Sequence, residues 1–141
     1  MSAACAATET NEPDAGLVGA LVSETLARLT LFAETGETTT IDLGGLPMSN
    51  RHRAALDDFL GRGEVSASID VIGRTEVWET QFSGVWRVRH FGDGAIATDL
   101  IEIAACPKIL CADRRDARLA ARGMAEALEL NPGIVETPHE T

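Results

Sequence analysis

The chain has 141 residues, 45% hydrophobic and 24% charged, ordinary proportions for one globular domain with its own core. Twenty-two acidic against twelve basic residues give a formal charge of −10, which argues against general binding to nucleic acid or to an anionic membrane surface. No apolar run approaches the ~18 residues of a spanning helix, and the first fourteen residues lack the basic and hydrophobic regions of a secretory signal, so the expectation is a cytoplasmic protein without membrane insertion.

Residues 1–13 are small and polar and read as a disordered tail. A helical pattern follows from Asp14, a candidate cap, to about Glu34, with Val18, Leu21, Val22, Leu29 and Phe32 on one stripe and Gly36 ending it. Thr38 to Leu43 is β-branched and predicts a short strand. Gly44-Gly45 turns the chain, and Ser49 is placed to cap a second helix over Asn50 to Leu60, with Ala54, Leu56 and Phe59 as its apolar candidates. From Glu64 the period changes to two. Val65, Ala67, Ile69 and Val71 alternate with polar residues, and Gly73-Arg74 predicts a two-residue hairpin turn into Thr75 to Gln81.

The length of the next turn is argued from charge. A two-residue turn puts Arg87 and Arg89 on the same face as Trp78, where unpaired arginines would cost several kcal/mol, roughly. A three-residue loop, Phe82-Ser83-Gly84, with Gly84 left-handed, pairs Trp78 with Val88 and Glu79 with Arg87 and sends Trp86 to the core. The bulged register is the expectation. Gly92-Asp93-Gly94 predicts another turn, Ile96 to Ala105 a fourth strand of the meander, and Pro107 its stop. A last helix runs from Asp113 to about Leu130, with Ala117, Ala120, Ala121, Met124 and Leu128 at helical spacing. Asn131-Pro132-Gly133 breaks it, and residues 131–141 read as a loose acidic tail. The expected fold is α+β: residues 14–130 form one domain, an antiparallel β-meander with helices packed on one face.

Candidate chemistry is sparse. Three cysteines give no disulfide framework. Cys106-x4-Cys111 supplies two thiolates, half of a tetrahedral metal site, and the remaining ligands would have to come from His90, His139 or Cys5; small hydrophobes beside a strand end is the plainer account. His90 next to Glu76 is the one candidate general base, and a surface contact explains the pair as well. Asp57 and Asp58 point in different directions on a helix. Arg114, Arg115, Arg118 and Arg122 crowd the last helix, as a solvated face or as a docking surface for an acidic partner. Phe82 at a turn tip, with Val77 and Val85, is not explained by core packing and suggests a binding surface. No catalytic residue, resident metal or cofactor is expected.

Several segments taken together carry a resemblance: Ile41-Asp42-Leu43 with Leu46-Pro47-Met48-Ser49, then Leu60-Gly61-x-Gly63-Glu64-Val65, then Glu79-Thr80-x-Phe82-x-Gly84-Val85-Trp86, and Ile101-Glu102-Ile103 with Pro107. From about Leu17 to Ala125 the chain resembles the hydrogenase expression/formation proteins of the HupH (HyaF-like) type. The resemblance implies a non-enzymatic accessory protein in maturation of a [NiFe] uptake hydrogenase. Such a protein would act in the cytoplasm on the iron–sulfur small-subunit precursor before its export, particularly when oxygen is present, alongside other maturation accessory proteins. Met48, Phe82 and Arg87 are the expected partner contacts, and the hairpin end would shield apolar or cluster-bearing surface. Carriage of iron or an iron–sulfur fragment by Cys106 and Cys111 is the alternative. The meander's edge strands could pair in a homodimer.

Overall fold

The computed structural model describes residues 13–136, and the chain divides into two compact units, one up to Pro107 and one from Lys108. The expected N-terminal tail therefore falls outside the described residues but for Pro13, as do Cys5 and His139, whereas the tail expected to be loose at 131–141 is described as far as Glu136 and is helical over Pro132–Glu136.

In the first unit, α1 spans Pro13–Thr35. It begins at Pro13, a residue suited to the first helical position because its missing N–H needs no partner there, so Asp14 lies within the helix instead of capping it. Gly36 ends it as expected, with φ of 81° and its N–H donating to the Phe32 carbonyl at 2.8 Å. The predicted stripe is the packing face: Leu21 is buried in the core, with Val18, Val22, Leu29 and Phe32 against it. One expectation is corrected. Gly16–Thr35 is a 20-residue stretch of mean hydropathy 1.4, long and apolar enough to cross a membrane by length and composition. Those two measures do not separate a spanning helix from one that packs on a sheet. Here Glu24 and Arg28 pair midway along it at 2.7 Å, and Leu21 joins the core.

A short strand, β1 (Thr39–Asp42), leads into a 3₁₀ turn at Leu43–Gly45 that Asp42 caps by accepting the Gly44 N–H at 2.9 Å. Helix α2 runs over Asn50–Leu60, as predicted. Ser49 Oγ accepts the His52 N–H at 3.1 Å, and the Ser49 N–H donates to His52 Nδ1 at 2.8 Å. This is a capping box with histidine in the place usually held by Glu or Gln. The buried face is His52, Leu56 and Leu60, while Ala54 and Phe59 are exposed. Spacing of four residues sets that face, and Arg53 and Asp57, one position on from His52 and Leu56, lie along its flank.

The sheet has the order β1-β5-β4-β3-β2, all antiparallel, with β2 (Ser66–Val71), β3 (Gly73–Glu79), β4 (Val85–Gly92) and β5 (Ala95–Ile103). Leu21 from α1 and Leu43, Leu56 and Leu60 pack with Ile41, Val85, Ile101 and Ile103, so both helices cover one face. The α+β fold with helices on one face of a meander is as expected, with β1 added beside β5.

Two registers differ from expectation. The β2–β3 turn centres on Ile72, pairing Asp70 with Arg74 and Val71 with Gly73. Gly73 thus opens β3, with φ of 77°, and any Cβ there would lie 2.7 Å from the Phe91 carbonyl oxygen. In the β3–β4 hairpin Gly84 has positive φ, 93°, as predicted, but Trp78 pairs with Arg87 and Glu79 with Trp86. A one-residue slip exchanges faces. Arg87 and Arg89 therefore lie on the helix-covered side, in line with Trp78, Ile101 and Ile41. Trp86 is buried on the opposite side, its Nε1–H donating to the Ala104 carbonyl at 3.2 Å. The β4–β5 turn is Asp93-Gly94, both with positive φ, as a two-residue hairpin requires.

In the second unit a 3₁₀ turn at Lys108–Leu110 precedes α3 (Arg114–Glu129) and a short α4 (Pro132–Glu136). Asp113 caps α3, accepting the Arg115 N–H at 2.9 Å. No residue of α3 is buried, and its apolar stripe through Met124 and Leu128 is exposed.

Candidate functional site

The end of α2 and the tip of the β3–β4 hairpin are tied together by hydrogen bonds. The Gln81 N–H donates to the Leu60 carbonyl and its Nε2 to the Phe59 carbonyl, both at 2.9 Å. Thr80 Oγ1 donates to the Val85 carbonyl at 2.8 Å and accepts the Phe82 N–H at 3.1 Å, fixing the start of the loop. Gly84 lets the tip approach α1: a Cβ there would sit 3.1 Å from Leu29 Cδ1. The outcome is that Phe82 stacks on Phe59, with ring centroids 5.7 Å apart and planes inclined by 24°.

Between these rings and α1 lies an apolar groove of about 140 Å³, lined by Val22, Leu26, Leu29, Phe59, Phe82 and Val85. Leu26, Phe59 and Phe82 remain 63%, 49% and 36% exposed. Three large apolar side chains left open on a built concave surface are more than scattered exposure, and such surfaces take apolar partners.

Beneath α2, on the same face of the sheet, is a charged cluster. Arg87 is 0% exposed and donates to Asp57 at 2.6 Å and to Asp99 at 2.8 Å. Arg89 reaches both carboxylates at 3.1–3.3 Å, and Arg53 Nε donates to Asp99 at 2.9 Å. Burial alone would raise the Asp99 pKa. The field of Arg87, the hydrogen bond from Arg53 and the field of Arg89 outweigh it and hold the carboxyl below its ordinary value of 3.8.

The three expected partner contacts are thus separated. Phe82 forms a wall of the groove. Met48 is half-buried and packs against the core beside Leu46, away from the groove lining. Arg87 makes its contacts inside the fold, because the register turns it under α2. His90 faces Thr75, with Nδ1 2.7 Å from its hydroxyl, and Arg89 takes the place expected for it opposite Glu76. Cys106 and Cys111 are exposed and not joined in a disulfide. Among the described residues no group of three or more His, Cys, Asp and Glu is arranged to hold a metal.

Phe59, Leu26 and Leu29 were not singled out as groove residues. A signal existed for Phe59: a Ser49 cap with Leu56 and Leu60 facing inward leaves position 59 on the flank. The cluster also had one, since Asp99 shares strand parity with Ile101 and Ile103, as Arg87 and Arg89 do with Val85.

Comparison with known proteins joins this architecture to one group. Residues 18–131 match the family model described as the HupH hydrogenase expression protein, C-terminal conserved region. The chain is 39% identical over 95 residues to the hydrogenase expression/formation protein HoxQ of Cupriavidus necator, covering 67% of this chain and 30% of that protein. It is 33% identical over 103 residues to the hydrogenase expression/formation protein HupH of Rhodobacter capsulatus, covering 73% and 34%. The alignments thus span about a third of the length of these curated relatives. Among solved structures, the hydrogenase expression protein HupH from Thiobacillus denitrificans superposes with a TM-score of 0.75 at 34% identity, over 81% of this chain and 96% of that one. The chain belongs to the HupH family of hydrogenase expression proteins, and residues 18–131 correspond to its C-terminal conserved region.

Proposed function

We propose that this protein is a non-catalytic accessory factor in hydrogenase formation, and that its apolar groove receives an apolar segment of the iron–sulfur small-subunit precursor in the cytoplasm before export. The observation that carries the reading is the groove itself. Its walls come from three separate elements, its lining is apolar, and Phe59 and Phe82 stand open to solvent at its rim. A surface of this kind binds and covers; it offers no nucleophile, acid or base to a substrate. The names of the HoxQ and HupH relatives, expression/formation proteins of hydrogenase, supply the class of client. The reading requires no resident cofactor.

Binding of purified small-subunit precursor to the intact chain tests it. Phe82→Asp should abolish capture while leaving the circular dichroism spectrum unchanged, since the side chain is already partly in water. Val71→Asp, an equally apolar exposed site at the β2–β3 turn, should bind as the parent does. A folded Phe82→Asp protein that binds the precursor with undiminished affinity would overturn the placement.

A further inference from the structure

The charged cluster does not balance. Arg53, Arg87 and Arg89 share two carboxylates, Asp57 and Asp99, which leaves one positive charge over. A fourth guanidinium adds to it. Arg62, in the loop after α2, lies 4.0 Å from the centroid of the Trp78 ring, and among the described residues no carboxylate is within ion-pair distance of it. Arg87 and Arg89 approach the same ring at 5.5 and 5.1 Å. Arg87 is wholly enclosed and its Nε–H has no acceptor. Surplus positive charge beside the enclosed Arg87 is unfavourable without an anion, and it stands out in a chain whose net charge is −10; Arg62 itself is exposed, so an anion can reach it from solvent.

The sheet register shows where an anion would meet that charge. Ser66, Trp78 and Arg87 form one row across β2, β3 and β4, and Ser68, Glu76 and Arg89 form the next. Directly opposed residues share a face, so both rows lie on the side of Trp78. Next to them is a polar depression of about 200 Å³ lined by Arg62, Ser66, Ser68 and Glu76. Glu76 is matched by Arg74 at 3.0 Å. The guanidinium of Arg62 and two hydroxyls remain as donors, with the surplus charge of the cluster behind them. A planar guanidinium fork fits a planar carboxylate with two parallel hydrogen bonds.

We propose that this depression is a binding site for a carboxylate, with Arg62, Ser66 and Ser68 as its donors. The site rests on the charged cluster and is independent of what occupies the apolar groove.

The two tryptophans make the test direct. Trp78 borders the cluster, and the Trp86 indole is engaged on the other side of the sheet, so their indole N–H signals in a ¹H–¹⁵N spectrum of the intact chain form a probe and an internal reference. Sodium acetate, sodium phosphate and sodium chloride are titrated at matched ionic strength. Acetate should move the Trp78 signal saturably and leave the Trp86 signal in place. Arg62→Gln should weaken acetate binding about tenfold, the scale of one lost charge-assisted hydrogen-bond pair, whereas Arg118→Gln on α3 should change nothing. Equal, non-saturating movement in all three salts overturns the proposal. So does saturation by phosphate alone, or unchanged acetate affinity in an Arg62→Gln protein whose backbone spectrum retains its dispersion.

Discussion

Asp99→Asn is the substitution most directly tied to the sheet register. Asp99 is 1% exposed and is the acceptor common to Arg53, Arg87 and Arg89. Removing its charge leaves Arg87 enclosed with Asp57 as its one remaining carboxylate. Breaking a buried pair in this way costs about 3–5 kcal/mol. Asparagine keeps the shape and one acceptor, which places the expectation near the lower end, about 3 kcal/mol. For a folding unit of this size that corresponds to a fall in Tm of about 12 °C. Urea unfolding of parent and variant at neutral pH measures the difference, and acid sharpens it. A carboxyl whose folded pKa lies below its unfolded value contributes stability above the unfolded value and loses it as pH falls through the folded one. The parent should therefore lose this contribution below about pH 4, and the gap between the two proteins should narrow there. A neutral-pH loss under about 1 kcal/mol, or a gap that stays constant into acid, would refute the description of Asp99 as the centre of a buried network.

Three further outcomes follow from local geometry. Gly73→Ala forces a Cβ to 2.7 Å from the Phe91 carbonyl oxygen at positive φ, and should cost about 2–3 kcal/mol by chemical denaturation. Ser49→Ala removes the acceptor for the His52 N–H and should cost about 1 kcal/mol, with Ser49→Asp recovering most of it. Leu56→Ala empties a fully buried site between α2 and the sheet and should cost about 2–5 kcal/mol; a smaller loss would mean that α2 collapses onto the vacated volume.

What could be read in the sequence was local. The cap at Ser49, both ends of α2, the stop at Gly36 and the positive φ at Gly84 each depend on residues within one turn of each other. The β3–β4 register depended on something distant. The bulged alignment was preferred because buried arginines would be unpaired, and the structure pairs them with Asp57, thirty residues before Arg87, and Asp99, twelve after it. Strand alternation alone could not reveal those partners. The same limit applied to the groove, where Phe59 stood only as one of three apolar candidates of α2. Its place at the rim is set by Gln81, which fixes the hairpin tip to the last carbonyls of α2.

The strand order β1-β5-β4-β3-β2 also dictates when the protein can fold during synthesis. α1, β1 and α2 leave the ribosome first, but the residues that cover their apolar faces, Val85, Ile101 and Ile103, are made last in this unit. β1 has no neighbour until β5 exists, and Asp57 waits for Arg87. At about 5–20 residues per second, the N-terminal helices remain without their sheet for several seconds, an interval in which Leu21, Leu56 and Leu60 are open to other partners. Pairing of β1 with β5 then joins the two ends of the unit.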